Sequence, residues 1–156
     1  NLQGVEWAEK LGMKRYKIAS RCIGQQDLFD AVGETGKDMI VSLGMWHDAN
    51  PTAPLPTYIN SKGKVDFLYC VAKYPTMPED VDFDKIDFKD KYSGFSDHTI
   101  GMNAPLIAVA RGARIIEKHF TLSKKMHGPD HQGSMEPNEL RQLVKSAREF
   151  EEFMSK

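Results

Sequence analysis

The sequence has few cysteines, no long apolar run and no block of like charge. Its two cysteines, Cys22 and Cys70, lie in apolar surroundings without metal-ligand spacing, which excludes a disulfide scaffold and indicates reduced thiols in a cytoplasmic protein. No run reaches the ~18 apolar residues of a membrane helix, so no membrane partner is expected. The 21 basic and 22 acidic residues nearly cancel, so nothing favours nucleic acid as a partner.

What the sequence does contain is enough apolar material for one domain. The chain has 156 residues, of which 40% are hydrophobic, and this predicts a single globular unit with a sizeable core. The near-zero net charge is still compatible with a small anionic substrate, because lysines can cluster locally. The first residues, NLQGVEWAEKLG, already have the pattern of an amphipathic helix, and we interpret this as a sign that further sequence precedes them.

Strand and helix patterns alternate along the chain. Five segments have the pattern of β-strands, at residues 15–20, 38–45, 65–72, 93–96 and 113–120. Amphipathic helices are predicted around residues 5–11, 25–35, 102–111 and 137–153. This alternation predicts an α/β fold with a parallel sheet. Two folds fit it: a small doubly wound domain, or about the last five β/α units of a (β/α)8 barrel of the TIM-barrel type.

Two segments interrupt the alternation. Residues 46–64 contain three prolines, so any helix there is limited to a turn or two around Thr57 to Asn60. Residues 75–91 are rich in proline and aspartate, and one short helix is expected near Phe83 to Phe88.

Two histidines each lie at the end of a predicted strand, His98 at the end of the fourth and His119 at the end of the fifth. Both ends of parallel strands open on the same side of the sheet, so the two imidazoles can meet at one site. Neutral imidazoles favour a borderline divalent ion such as Mn, Fe or Zn over Ca or bare Mg. Water and a substrate oxygen would complete the coordination, which suits Lewis-acid chemistry at a carbonyl.

Several polar residues are expected at the same rim. Lys17 and Ser20, in YKIAS, present an ammonium and a hydroxyl group where the first strand ends, and Ser42 and Ser96 add hydroxyls from other strands. Together these donors can hold a phosphate or a carboxylate. Tyr74 follows the third strand and reaches the same rim.

A loop carboxylate and the residues of the fifth strand complete the candidate site. Asp130, in MHGPDH, can accept hydroxyl protons from a polyol, while the flanking His127 and His131 are interpreted as loop residues. Strand alternation places Glu117 on the same face as His119 and Lys118 on the opposite face.

The segments GFSDHTIGMNAPLIAVARGARIIEKHF and GPDHQGSMEP, with YKIAS, VSLGM and YPT, resemble the N-acetylneuraminate (sialic acid) synthase family. That family includes legionaminate, pseudaminate and spore coat polysaccharide synthases. The resemblance implies a (β/α)8 barrel, usually followed by a small antifreeze-like domain, in an enzyme that is usually a homodimer. It also implies condensation of phosphoenolpyruvate with an N-acylated aminosugar aldehyde similar to N-acetylmannosamine, giving a nonulosonic (sialic-type) acid and phosphate.

The resemblance further implies roles for matching residues. The ligands of a divalent metal, usually Mn²⁺ with Mg²⁺, Co²⁺ and Fe²⁺ as alternatives, would be His98 and His119. The residues that bind phosphoenolpyruvate would be Lys17, Ser20, Ser42 and Ser96. The open-chain sugar would face Tyr74 and Asp130. The predicted catalytic residues are His98, His119 and Asp130.

Three differences from the family pattern leave alternatives open. Cys22 stands where the family commonly has glutamate, Ala72 stands where asparagine is common, and the helix after the second strand is eroded. The first two differences concern sugar specificity and favour an alternative, a non-catalytic relative that binds a sugar or a partner protein. A metal-dependent hydrolase or aldolase on a similar sheet is the third hypothesis.

The resemblance covers only the second part of the family's barrel. Residues 1–156 are therefore interpreted as a partial TIM-barrel synthase domain without the N-terminal strands and the antifreeze-like domain. Because five parallel strands leave two open edges, we expect the chain to be part of a longer enzyme or to associate, and to be inactive alone.

Overall fold

The computed structural model describes residues 1–154, with only the backbone described at Asp48. One parallel sheet is formed by β1 (Arg15–Ile18), β2 (Asp38–Ser42), β3 (Val65–Cys70), β4 (Gly94–Asp97) and β5 (Ile115–Lys118). The helices are α1 (Leu2–Lys10), α2 (Gln26–Glu34), α3 (Asn103–Ala110) and α4 (Pro137–Met154). The predicted parallel α/β sheet is confirmed. None of the helices within residues 1–154 combines the length and the apolar character that crossing a membrane requires.

The strand order distinguishes between the two folds that fit the sequence. Each strand pairs with the next strand along the chain, in the order β1-β2-β3-β4-β5. In a doubly wound domain the order reverses at a switch point, and this sheet has no reversal. Right-handed crossovers therefore place the connections on one face of the sheet, as in a barrel.

The sheet is strongly curled. In a flat sheet, four strand spacings of about 4.8 Å would separate β1 from β5 by about 19 Å. Yet the Nζ atom of Lys17 on β1 lies 3.3 Å from Oε1 of Glu117 on β5. Side chains of this length meet only if the two outer strands bend toward each other, so the sheet is a half-barrel with a concave inner face.

The hydrophobic core lies on the convex face, between the sheet and the helices. Successive side chains of a strand point to opposite faces, and the register assigns one alternating set to the convex side. Its buried members and the α2 residues in the same core cluster are Ile18, Met39, Val41, Tyr69, Phe95, Leu28, Phe29 and Val32. The other set lines the concave face, which is polar toward the C-terminal ends of the strands.

The predicted turn of helix at 57–60 is wrong, because that segment is irregular and the short helix between residues 46 and 64 is instead a 3₁₀ turn, His47–Ala49. The packing of residues 57–60 explains the difference: the ring of Tyr58 lies edge-on to Phe29 of α2, with centroids 5.8 Å apart. The Tyr58 hydroxyl also donates a hydrogen bond to the carbonyl oxygen of Ile23. The helix expected at 83–88 is a single 3₁₀ turn, Phe83–Lys85.

Gly94 permits the close approach of β4 to β5. A Cβ atom at this position would overlap the carbonyl carbon and oxygen of its register partner Ile115. We expect Gly94→Ala to destabilise the protein by about 3 kcal/mol or more, since backbone atoms would have to move. Gly24→Ala is the matched control: a Cβ there meets nothing within 4 Å, and its effect should stay within about 0.5 kcal/mol. Urea unfolding of the two variants measures the difference, and similar losses in both would contradict the expectation.

Candidate active site

The eight candidate residues meet in one cleft at the C-terminal ends of the strands. A cavity of about 460 Å³, called here the inner lobe, is lined by all of them: Lys17, Ser20, Ser42, Tyr74, Ser96, His98, His119 and Asp130. A second cavity of about 420 Å³, the outer lobe, is also lined by Gln132 and Gly133, and it shares with the inner lobe Tyr74, Asp97, His98, Lys118, His119 and Asp130. His127 and His131 line neither lobe. The roles assigned to the eight residues remain predictions.

Glu117 is the centre of the inner lobe. Its Oε2 atom accepts hydrogen bonds from the hydroxyl groups of Ser96, at 2.6 Å, and Ser42, at 3.1 Å. Its Oε1 atom lies 3.3 Å from the ammonium group of Lys17. One carboxylate thus gathers the donors of three other strands, β1, β2 and β4, into a cluster that we call the anion cradle.

The anion cradle favours the charged form of Glu117. Burial raises the pKa of the Glu117 carboxyl, but the Ser96 hydroxyl, the Lys17 ammonium and the Ser42 hydroxyl together outweigh burial and lower the pKa below its usual range. The same donors that stabilise this carboxylate can stabilise a phosphate or a carboxylate of a ligand.

Ser20 occupies a tighter part of the inner lobe. Its hydroxyl oxygen accepts a hydrogen bond from the backbone N–H of Gly44, at 2.9 Å, and lies 3.5 Å from the sulfur of Cys70. A Cβ atom at position 44 would come within 2.7 Å of that sulfur, so only glycine lets the loop after β2 approach β3 this closely. Cys70 is buried and its thiol is free, as is that of Cys22.

His98 and His119 face each other across the cleft. Their ring centroids are 5.4 Å apart, with an interplanar angle of 75°. Both residues directly follow their strands, and alternation turns both rings toward the concave face. The carbonyl oxygens of these histidines accept hydrogen bonds from loop residues, His98 from Thr76 and His119 from Met135. The backbone on both sides of the pair is therefore held by tertiary contacts.

The hydrogen bonds of His98 assign its tautomer. Nδ1 lies 2.8 Å from the carbonyl oxygen of Val71, which can only accept, so Nδ1 carries the proton. The lone pair of Nε2 accepts from the Tyr74 hydroxyl at 2.9 Å. Burial lowers the pKa of His98, which favours the neutral imidazole that metal binding needs.

Tyr74 and Asp130 stand where the two lobes meet. The Tyr74 ring lies 4.1 Å from the His98 ring and 5.5 Å from the His119 ring, measured between centroids. Partial desolvation in the cleft, together with the nearby negative charge of Asp130, raises the pKa of the Tyr74 phenol, which keeps the hydroxyl protonated and able to donate. Asp130 lines both lobes, and its backbone oxygen accepts a hydrogen bond from the Ser134 hydroxyl at 2.6 Å.

The donor set of the cleft fits a divalent metal. With metal–nitrogen distances of about 2.1 Å, two imidazoles at this spacing are within reach of one ion. The hydrogen bond from Nδ1 of His98 to a carbonyl is the outer contact that usually orients a histidine ligand. Within residues 1–154 no group of three His, Cys, Asp or Glu residues is arranged to hold an ion. Residues 1–154 would therefore supply two ligands, His98 and His119, and leave further positions open.

Sequence reasoning missed the central position of Glu117. Alternation along β5 placed it on the same face as His119, which the structure confirms, but nothing local indicated that three donors would converge on it. It also missed the buried pair of Asp97 and Lys118, which lies on the helix side of the same two strands. Both are contacts between residues of different strands, and the spacing of residues along the sequence does not predict them.

The fold and the cleft define a parallel α/β protein of the half-barrel type, with a polar site at the C-terminal ends of its strands. The NeuB family model matches residues 1–156, so the chain belongs to the NeuB family. It is 35% identical to the N,N'-diacetyllegionaminic acid synthase of Campylobacter jejuni over 161 residues, covering 99% of this chain and 48% of that protein. It is 32% identical to the human N-acetylneuraminate-9-phosphate synthase over 149 residues, covering 92% and 42%.

A solved structure agrees with this relationship. The chain superposes on the N-acetylneuraminic acid (sialic acid) synthetase of Leptospira borgpetersenii, solved in complex with citrate, with a TM-score of 0.85 and 30% identity. The match covers 100% of this chain and 56% of that one. The chain thus spans about half the length of the curated relatives that it matches.

The charge of Glu117 should make stability depend on pH. Because the folded state lowers its pKa, the carboxylate stabilises the fold above its unfolded pKa of about 4.3, and this contribution is lost as the pH falls through the folded value. Glu117→Gln should therefore lose less stability than the wild type when the pH falls from about 6 to about 3. Urea unfolding across this range measures the effect. Glu151→Gln, on the exposed face of α4, is the control, and an equal pH dependence in wild type and Glu117→Gln would contradict the expectation.

Proposed function

We propose that the chain supplies the metal-binding and anion-binding part of an enzyme that condenses phosphoenolpyruvate with an N-acylated aminosugar aldehyde. The products are a nonulosonic acid and phosphate. The observation that carries this proposal is the convergence of Lys17, Ser42 and Ser96 on one carboxylate, in the same cleft as His98 and His119. Membership of the NeuB family and the names of its synthases support it.

Phosphoenolpyruvate suits the inner lobe because it carries a phosphate and a carboxylate. Lys17 offers a positive charge, and Ser42, Ser96 and Ser20 offer hydroxyl groups. In the free protein the Glu117 carboxylate keeps the first three donors together. An anionic substrate would replace Glu117 as the acceptor of the hydrogen bonds from Ser42 and Ser96. These donors are already close together, so they need no large rearrangement when the substrate binds.

The outer lobe suits the sugar. It is lined by Tyr74, Asp130 and Gln132, which combine a hydroxyl, a carboxylate and an amide with the apolar surfaces of neighbouring loops. Asp130 accepts protons from sugar hydroxyls, and Tyr74 donates one. The aldehyde end of the sugar then points to the junction of the two lobes, next to the histidines.

The reaction joins carbon atoms from the two lobes. C3 of phosphoenolpyruvate forms a bond to the aldehyde carbon, water adds to C2, and the phosphate group leaves. A divalent ion, Mn²⁺ in this proposal, would be held by His98 and His119 and would supply Lewis-acid polarisation of the aldehyde. The Tyr74 hydroxyl, which donates to Nε2 of His98 in this structure, would then be free to donate to the sugar. The cradle residues hold the phosphate until the bond to it breaks.

The half-barrel forms part of a (β/α)8 barrel in this proposal. The outer edges of β1 and β5 carry no strand partner within residues 1–154, and the chain matches about half of a longer synthetase structure. The remaining strands would pair with these two edges and close the cleft.

The chain alone should not catalyse the condensation. Two open sheet edges leave the cleft exposed to water along one side, and a complete transition-state site needs groups on every side of the substrate. We expect no phosphate release above background when the chain is incubated with Mn²⁺, phosphoenolpyruvate and N-acetylmannosamine. Phosphate release at rates typical of a complete synthase would overturn the half-barrel proposal.

Binding should nevertheless be coupled between the metal and phosphoenolpyruvate. If both occupy the cleft, Mn²⁺ should tighten phosphoenolpyruvate binding by about 5-fold or more, and the reverse effect should be equal. His98→Ala should reduce the factor to about one. Isothermal titration in the presence and absence of each partner measures it.

His127→Ala is the control for that variant, because His127 is an exposed loop histidine that lines neither lobe. It should leave the coupling unchanged. Metal binding without any response to phosphoenolpyruvate would favour a hydrolase or aldolase, and absence of metal binding would favour a non-catalytic relative.

A further inference from the structure

A buried ion pair lies on the reverse side of the two strands that carry the histidines. Asp97 and Lys118 are register partners on β4 and β5, and each directly precedes a histidine. The Nζ atom of Lys118 lies 2.5 Å from Oδ2 of Asp97, and the two side chains are 4% and 0% exposed. Alternation sends the two side chains to the helix side, although both residues also border the two lobes of the cleft.

The hydrogen bonds of the pair surround His98. Lys118 donates to the carboxylate of Asp97 and also to the backbone carbonyl oxygen of Thr99, at 2.5 Å. Asp97 in turn accepts hydrogen bonds from the backbone N–H of Thr99, at 2.8 Å, and from its hydroxyl group, at 3.1 Å. Lys118, on the strand that leads to His119, thus binds the residues immediately before and after His98.

The position of the pair gives it a geometric role. Asp97 and Lys118 form the last register pair between β4 and β5, so the ladder ends where the histidines leave the sheet. A fully hydrogen-bonded buried ion pair can often be replaced by apolar residues with no loss of stability, so stability alone does not explain such a pair. Its directional bonds, in contrast, restrict how the two strand ends can move relative to each other.

We propose that Lys118 and Asp97 are positioning residues that fix the separation and orientation of the His98 and His119 rings. This inference rests on the proposed metal role of the two histidines. Lys118 links the Asp97 side chain before His98 and the Thr99 backbone after it to the strand that carries His119, so the imidazoles are held in place before an ion binds. Preorganisation of this kind raises metal affinity, because less freedom is lost on binding.

The test uses a double variant, Asp97→Asn with Lys118→Met, which removes both charges and leaves no unpaired buried ion. The matched control is Asp66→Asn with Lys64→Met. It removes the pair of Lys64 and Asp66, 2.8 Å apart, from the opposite end of the same sheet, where Asp66 is 6% exposed. Thermal unfolding establishes that both variants are folded.

Two measurements report on the histidines. In the metal-free protein, nuclear Overhauser effects between the ring protons of His98 and His119 should be present in wild type and control and absent in the Asp97/Lys118 variant. Titration with Mn²⁺, followed by the electron paramagnetic resonance of the free ion, should give a dissociation constant about 10-fold or more weaker in that variant. The control should stay within about twofold of wild type.

The ring contacts decide the outcome. The inference is overturned if the Asp97/Lys118 variant shows the same contacts between the His98 and His119 rings as the control. It is also overturned if both variants lose these contacts. If the wild type binds no Mn²⁺, the proposed metal function fails, while the ring contacts still test positioning. Should the double variant not fold, Asp97→Asn alone keeps an acceptor for the Thr99 N–H, and unchanged ring contacts in it would overturn the inference as well.

Discussion

The carboxylate of Glu117 is the interaction on which the rest of the half-barrel depends. It accepts hydrogen bonds from Ser42 and Ser96 and pairs with Lys17, so groups from β1, β2 and β4 meet at a residue of β5. Such a meeting is possible only in a curled sheet. This partly buried carboxylate would be costly without its donors, and without the carboxylate the donors would lose a shared partner. Curvature and polarity of the inner face therefore support each other.

The two faces of β4 and β5 carry two separate polar networks. On the concave side, Glu117 and the serines surround space that a ligand can enter. On the convex side, Asp97 and Lys118 pair with each other, and both side chains are almost fully buried. Alternation thus divides neighbouring residues into two sets: one set lines the cleft, and the other, in our proposal, holds the backbone. His98 and His119 belong to the first set and are placed by the second.

Membership of the NeuB family and the geometry of the cleft support the same proposal from different directions. The family relation concerns the identity of the residues along the chain. The structure adds that Tyr74 occupies the lone pair of His98 and that Glu117 occupies the anion cradle, which family membership alone does not reveal. In our proposal, a bound ion or substrate replaces the protein partner in each of these two contacts, Tyr74 with His98 and Glu117 with Ser96.

Local patterns in the sequence were enough to predict the order of strands and helices and the polar residues at the strand ends. These features follow from local periodicity and from residues such as Pro137 that begin or end an element. The strand and helix pattern left the doubly wound and barrel folds equally open, while the resemblance to the synthase family favoured the barrel, and the helical turn expected at 57–60 does not form. The curl of the sheet, the convergence on Glu117, the pairing of Asp97 with Lys118 and the packing of Tyr58 against Phe29 are seen only in the folded structure. Each of these depends on contacts between residues far apart in the chain, and local periodicity carries no information about them.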